Sequence, residues 1–282
     1  MAKVETKNSM SKIEVLFAEY KNTKVLKGSS FLYFVFYWKT KVLSFLQQRS
    51  RLLNYVIHSV VRYLPKPTFV IQNNSGIFLV LPFDDSTTIC ADYFEKELRG
   101  WLTTPTTKDI FIDIGANRGI YTVIAPTLFA YKKVHAFEPN LEVVDTLKKN
   151  IELNNLSSLV TVHEYALGQK KAVVNFACDP MHKGGGHITD SSNTKDNQVL
   201  VETFDEVMKN VPAKRISFIK IDTEGFEFHV LSGMERTLRE MSSGSCLVVE
   251  CTEVEKVSSI LGTSNFKLLK SSNHDHLFIK ND

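Results

Sequence analysis

Residues 109–129 read DIFIDIGANRGIYTVIAPTLF: a short β-branched and aromatic run, a glycine-bearing turn, then an apolar stretch of helical length. This segment constrains the fold most, because a buried strand that turns at glycine straight into a helix opens a parallel α/β unit. The alternation then continues. KVHAFEPN (133–140) gives a second strand and its exit, LEVVDTLKKNIELNN (141–155) a helix, and LVTVHEYA (159–166) a third strand. ISFIKID (216–222), a helix over FHVLSGMERTLREM (228–241) and CLVVE (246–250) follow, and FKLLKS and HLFIK flank Ser272 to Asp275 as a closing antiparallel hairpin. Near-continuous apolar strands alternating with helices predict a mostly parallel sheet covered on both faces.

Ahead of this body, TFVIQ and GIFLVL flank Asn73-Asn74-Ser75-Gly76, which reads as a hairpin, and a helical patch is expected from about Asp92 to Leu102. Residues 170–215 interrupt the alternation. Strand-like AVVNFA and VLVETF surround a polar, Gly-rich stretch from Pro180 to Asn197, expected to be a loop inserted over a site.

In an open parallel sheet the ligand sits beyond the carboxyl ends of the strands. That places it at Asp113-Ile114-Gly115-Ala116-Asn117-Arg118-Gly119. Gly115 permits the tight turn, and Gly119 permits close approach of a helix whose first N–H groups face the ligand. The dinucleotide pattern G-x-G-x-x-G is absent, since Asn117 and Ile120 stand at its second and third glycine positions, and no Gly-Lys-Ser/Thr completes a P-loop. A cofactor without a pyrophosphate fits better. Glu138, ending the second strand, offers a carboxylate to a ribose diol, which NAD and S-adenosylmethionine share. Asp113 would repel a pyrophosphate yet suits the ammonium of a methionine moiety.

The charge is segregated: residues 1–66 hold 12 Lys and Arg against 3 Asp and Glu, and residues 67–282 hold 22 against 28. An anionic partner, such as a membrane surface, is therefore expected at the head and not at the body. The head carries FLYFVFYW (31–38) between lysines; extended to Leu46 as a helix it spans about 24 Å, short of a ~30 Å bilayer core and interrupted by Lys39 and Lys41. Packing of this run within the protein and peripheral membrane contact both remain open. Residues 50–64 have a helical apolar stripe ended by Pro65 and Pro67. The expected organisation is a basic helical extension over 1–66 and a catalytic domain over 67–282. Cys90, Cys178, Cys246 and Cys251 form no C-x-x-C pair, which suits a reducing cytoplasm, with membrane association at its inner surface as an option.

FIDIGANRGIYT, AFEPN, NIELNN, ALGQK, FIKIDTEGFEFHVLSGM and CLVVE, in this order over roughly Tyr93 to Glu250, resemble the FkbM-type S-adenosylmethionine-dependent methyltransferases. The resemblance implies a class I methyltransferase (Rossmann-like) fold with a mostly parallel seven-stranded sheet, and O-methylation of a hydroxyl on a glycan, glycolipid or similar acceptor. Carried over residue by residue, it assigns Asp113, Gly115, Ala116, Asn117 and Gly119 to the methionine-side loop. Glu138, with Pro139 and Asn140, falls at the ribose, Glu95 and Tyr121 at the methionine end, and Tyr165 and Ala166 near adenine. Arg118 departs from the small or apolar residue common at its place.

Methyl transfer needs alignment of acceptor and methyl more than a special nucleophile, but a hydroxyl must still lose its proton. Asp222 and Glu224 follow the fourth strand and are the candidates for that base or for orienting the donor's amino group. A plainer alternative makes Asp222 a helix cap and Glu227 a first-turn acid. The chain has Asp-Thr-Glu-Gly where base N-methylation uses Asp/Asn-Pro-Pro-Tyr/Phe, and no cysteine follows a proline as cytosine C5 chemistry requires. His182 and His187 in the insertion are weaker acceptor-side candidates, and with Asp190 they form no recognised metal pattern, so no metal is expected. The alternative enzyme is an RNA 2'-O-methyltransferase, which would want a basic face that only the head, and not the acidic body, could supply, so nucleic acid is the less expected partner. A noncatalytic interaction protein on the same scaffold stays open.

Overall fold

The computed structural model describes residues 22–28, 30, 33, 68–81, 90, 94–179, 182–189 and 198–282. The aromatic run, Tyr33 apart, and the expected helix at 50–64 lie outside the described residues. The chain divides into two compact units, Met1–Phe94 and Glu95–Asp282.

The first unit contains a three-stranded antiparallel sheet in the order β1 (Lys24–Lys27), β2 (Phe69–Asn73), β3 (Gly76–Val80). The β2–β3 hairpin forms where the Asn73–Gly76 turn placed it: Asn73 Oδ1 accepts from the Ser75 N–H at 3.0 Å, a local bond that closes the turn. One correction follows. Lys24–Lys27, in the segment expected to be helical, is a strand, because β2 offers it an unpaired edge from Val70 to Gln72. That pairing joins the hairpin to β1 within the first unit.

The second unit opens with α1 (Lys96–Trp101), shorter than the helical patch expected there; Glu95 is not within it but stands at its N-cap in a left-handed conformation. Then come β4 (Ile110–Ile114), α2 (Ile120–Phe129), β5 (Lys133–Phe137), α3 (Leu141–Leu153), β6 (Val160–His163), β7 (Ala166–Leu167), β8 (Ala172–Asp179), β9 (His182–Thr189) and β10 (Gln198–Glu202). After α4 (Phe204–Val207) come β11 (Ile216–Ile221), α5 (Glu227–Ser232), α6 (Glu235–Glu240), β12 (Cys246–Glu250), α7 (Val254–Gly262), β13 (Phe266–Ser272) and β14 (Asp275–Lys280).

The main sheet has seven strands in the order β13-β14-β12-β11-β4-β5-β6, with β14 running against the other six. Every residue of β4 and β11 is buried, as a strand flanked by neighbours and covered on its faces must be. The chain leaves β4 for β5 and β6 on one side and later takes up β11 and β12 on the other. The strand order thus reverses between β4 and β11, and the crevice beyond their carboxyl ends is the expected ligand position.

The single helix expected over 228–241 is two. Gly233 ends α5 where a Cβ would stand 2.0 Å from the Gly168 carbonyl oxygen, and the chain turns there before α6. The insertion is also corrected. Lys183-Gly184-Gly185-Gly186-His187-Ile188 is not a loop but lies in β9, the outer strand of a four-stranded sheet ordered β7-β10-β8-β9. Strand pairing draws on backbone groups, which glycine has as fully as any residue, so the β8 ladder from Asn175↔Thr189 to Asp179↔His182 overrides glycine's low strand propensity.

Candidate functional site

A cleft of about 620 Å³, part of it open to solvent, lies beyond the carboxyl ends of β4, β5 and β11. Its lining includes Gly115, Asn117, Glu138, Pro139, Tyr165, Ala166, Asp222 and Glu224 from the expected set. Phe137, Leu167, Phe176, Gly186, Ile188, Thr223 and Phe226 also line it, and sequence reasoning had given none of them a role.

The β4–α2 loop is fixed by its neighbours' backbones. The Gly115 and Ala116 N–H groups both donate to the Phe137 carbonyl at 3.0 Å, and the Asp222 N–H donates to the Ile114 carbonyl at 3.0 Å. Gly115 has φ +77°, and a Cβ there would stand 1.7 Å from the Asp222 carbonyl oxygen. Only glycine lets the two loop exits touch. Asn117, at φ 50°, adopts the left-handed conformation that asparagine tolerates best among non-glycine residues.

Glu138 is 6% exposed. Its Oε2 accepts from the Asn117 N–H and its Oε1 from the Asn140 N–H, each at 2.8 Å. Burial pushes its carboxyl up to about 7 against the pull of these two N–H groups. Each oxygen still has a second lone pair, so the carboxylate can receive two hydroxyls of a ligand on the cleft side. Asn140 does not line the cleft; it caps α3, its Oδ1 accepting from the Glu142 N–H at 3.0 Å. Ala116 and Gly119 also stay behind the wall, Gly119 as the N-cap of α2.

Tyr165 is held by a chain that starts outside the cleft. Its hydroxyl shares a hydrogen bond with His163 Nδ1 at 3.0 Å, and His163 Nε2 shares one with His135 Nδ1 at 3.1 Å. Phe137 stacks on the His163 ring at 4.3 Å. Burial holds both histidines below their ordinary range, His135 down to about 4, so at neutral pH the chain is uncharged.

Asp113 is 1% exposed and sits under the loop, not in the cleft wall. Its Oδ2 accepts from the Thr122 hydroxyl at 2.6 Å, while its Oδ1 has no hydrogen-bond partner among the described residues. Burial raises its carboxyl and the nearby Lys220 ammonium lowers it, with a net upward shift. Tyr121 is likewise buried, donating to Glu95 Oε2 at 2.6 Å, so Glu95 and Tyr121 pair with each other rather than lining the cleft.

Lys220 was the residue most visible and least used in the sequence. It is 4% exposed near the carboxyl end of β11, and its Nζ donates to Asp222 Oδ2 at 2.7 Å and lies 5.0 Å from the Tyr121 ring centroid. Burial works against its charge, but the carboxylates of Asp222, Asp113 and Glu95 outweigh that and raise its ammonium above the ordinary range. The signal was a lysine inside an apolar strand two residues before an aspartate, because positions i and i+2 share a face.

Asp222 is not a helix cap. The N-cap of α5 is Phe226, with no side-chain cap, and Asp222 faces Lys220 instead. Glu227 builds the loop: its buried Oε1 accepts from the Thr223 N–H at 3.1 Å, the Thr223 hydroxyl at 3.0 Å and the Gly225 N–H at 2.9 Å. Glu224 is displayed on that loop at φ 53°, a left-handed conformation costing about 1 kcal/mol or more for such a residue. Burial and the Asp222 carboxylate raise its carboxyl.

Asp222 and Glu224 also wall a second cleft of about 740 Å³ with Glu227, Phe228, Glu250, Glu253 and His274. The two clefts meet at the two candidate acids. His187 is exposed beside Glu224 and favours its ionised form, while His182 lies in β9 with its side chain outside the described residues. Among the described residues no helix is long and apolar enough to cross a membrane.

The residues present suit the chemical groups of S-adenosylmethionine. The test is Glu138, a buried carboxylate with ligand-facing lone pairs, set between a backbone loop and an apolar slot. Glu138 would hold the ribose hydroxyls, Phe137, Tyr165, Ala166 and Leu167 the base, and the Gly115–Asn117 backbone the methionine side.

Residues 113–266 match the family model described as the methyltransferase FkbM domain. Methyltransferase 1 of Beauveria bassiana is 29% identical over 168 residues, 51% of this chain and 67% of that protein. The hexuronic acid methyltransferase AglP of Haloferax volcanii is 26% identical over 134 residues, 48% of this chain and 53% of that protein. The matches therefore span between about half and two thirds of those relatives' lengths. The crystal structure of an FkbM methyltransferase from Methylobacillus flagellatus KT aligns at 18% identity and a TM-score of 0.45, covering 60% of this chain and 42% of that one. With more than half of its residues inside the matched family domain, the chain belongs to the FkbM methyltransferase family.

Proposed function

We propose that the protein is an S-adenosylmethionine-dependent O-methyltransferase acting on a hydroxyl of a glycan, glycolipid or similar acceptor. The observation that carries this is the meeting of two clefts at Asp222 and Glu224, one of them walled by the buried, doubly held Glu138 carboxylate. S-adenosylmethionine, when bound, supplies a methyl group on a sulfonium sulfur for displacement by the acceptor oxygen. Glu138 and the β4–α2 loop fix the donor's position, so that alignment, the main source of rate in such a displacement, is built in before the acceptor arrives. Asp222 or Glu224 takes the proton that the acceptor hydroxyl loses. Gly186 and Ile188 of the insertion line the donor cleft and help keep water from it. The hexuronic acid named for the Haloferax relative supports a sugar as the acceptor class.

Calorimetry should detect binding of S-adenosylmethionine and its demethylated product but not NAD; the reverse preference would overturn the donor assignment. Incubation with donor and separated glycan, lipid and RNA fractions should add the mass of one methylene to a glycan or glycolipid. A methylated RNA would replace the acceptor class, and no methylated product in any fraction would favour a noncatalytic role. The basic head, 12 Lys and Arg against 3 Asp and Glu, supports an anionic membrane surface as a second partner. Salt-sensitive co-sedimentation with anionic vesicles that is lost on removing residues 1–66 tests that assignment.

A further inference from the structure

Strand register brings three carboxyl groups into one row, two of which, Asp222 and Glu250, line the second cleft. Lys220 of β11 pairs in register with Val248 of β12, so Asp222 and Glu250, each two residues further on, point to the same side of neighbouring strands. Glu250 pairs in register with Asp275 of β14, which extends the row. Asp222 and Glu250 thus stand side by side on one wall of the second cleft. Two neighbouring, partly buried carboxyl groups repel when both are ionised, which favours a proton on one of them.

We propose that Glu250 is a positioning residue for methyl transfer: it holds a proton and donates it in a hydrogen bond to Asp222, while Lys220 grips the other side of Asp222 from the sheet interior. This rests on the methyltransferase assignment and deepens it, naming what keeps the candidate base in place. Lys220 Nζ lies 2.7 Å from Asp222 Oδ2, and its burial leaves that ammonium little water to turn to. Asp222 is thus held from both sides. Glu250 lines only the second of the two clefts, so its proton sits on the acceptor side and away from the donor's ribose and base.

The charged groups facing Glu250 are Asp222 and Lys220 from the end of β11 and Asp275 from β14, with Glu224, Glu227, Glu253 and His274 on the other walls of the cleft. Burial, then the Asp222 charge and the hydrogen bond with it, push the Glu250 carboxyl up to about 8, and Lys220 pulls the other way. The pair therefore carries its proton at neutral pH. Above about 8 Glu250 gives up its proton and the hold on Asp222 is lost.

The test is a pH titration of the full chain labelled with carbon-13 at its glutamate carboxyls and followed by NMR, which needs no acceptor. A glutamate signal titrating near 8 is expected, identified by its absence in Glu250→Gln. That substitution separates it from Glu138, whose carboxyl is pushed up to about 7. Asp222→Asn removes the like charge and should lower the Glu250 midpoint by a unit or more; Lys220→Met should raise it. If Lys220→Met does not fold, the Asp222→Asn shift decides alone. A Glu250 signal in the ordinary carboxylate range, or one that Asp222→Asn leaves in place, would overturn the proposal. Calorimetry with S-adenosylmethionine on the same samples keeps the two assignments apart. Retained binding with an ordinary Glu250 sinks only the carboxyl pair, and absent binding with Glu250 near 8 sinks only the donor assignment.

Discussion

The two clefts that meet at Asp222 and Glu224 are walled by different chemistry. The first combines apolar and aromatic side chains with backbone N–H groups and one buried carboxylate, Glu138; the second presents five carboxyl groups beside Phe228 and His274. A flat heterocycle with a ribose suits the first, where apolar burial supplies affinity and a few polar contacts set orientation. The second suits hydroxyl groups, which donate to carboxylates, and would oppose an acceptor bearing its own negative charge.

The contrast can be broken most sharply at the residue both clefts share. Asp222→Asn keeps shape and hydrogen bonding but not charge. Turnover on whichever fraction proves to be methylated should fall by about 10² to 10⁴ if Asp222 is the base. Donor affinity should stay nearly unchanged in that case, whereas a clear loss in calorimetry would make Asp222 a partner of the donor's ammonium.

On the donor side, Glu138→Ala should weaken S-adenosylmethionine binding by about 2–4 kcal/mol, or roughly 30- to 1,000-fold, through two lost charge-assisted hydrogen bonds. The same residue gives a pH signature. Its carboxyl is raised in the folded protein, so between its ordinary value and about 7 the native state binds more protons than the unfolded chain. Its contribution to stability is fully present below the unfolded value and is lost as pH rises through 7. Glu250, pushed up to about 8, and Asp275, up to about 6, act in the same direction. Urea denaturation should thus find the ligand-free protein less stable at pH 8.5 than at pH 5.5 for these three groups, with the slope reduced in Glu138→Gln.

Smaller effects sharpen the comparison. Glu227→Ala removes the acceptor that gathers Thr223 and Gly225 and should cost about 2 kcal/mol of stability in urea denaturation. Because the affected loop walls both clefts, any change in donor affinity measures how far the first depends on it. Tyr165→Phe removes one hydroxyl bonded to His163 and should cost at most about 1 kcal/mol in donor binding. A larger loss would mean that the Tyr165 hydroxyl, and not its ring alone, meets the ligand.

The sequence by itself determined the parallel core and the place of the cleft proposed for the donor. The β4 strand, Gly115 turn and α2 helix are consecutive, and the candidate ligand-holding groups there are backbone atoms plus one acid placed at a strand end, so a local pattern carries the information. The length and pairing of β9 were not legible, because a glycine run has no side-chain periodicity and becomes a strand only when β8 supplies partners. Nor was the row formed by Asp222, Glu250 and Asp275. Those residues come from three separate segments, and what brings them together is the register of β11 with β12 and of β12 with β14. Only the tertiary structure decides which strands lie side by side, and a one-residue slip would turn each of these side chains to the other face.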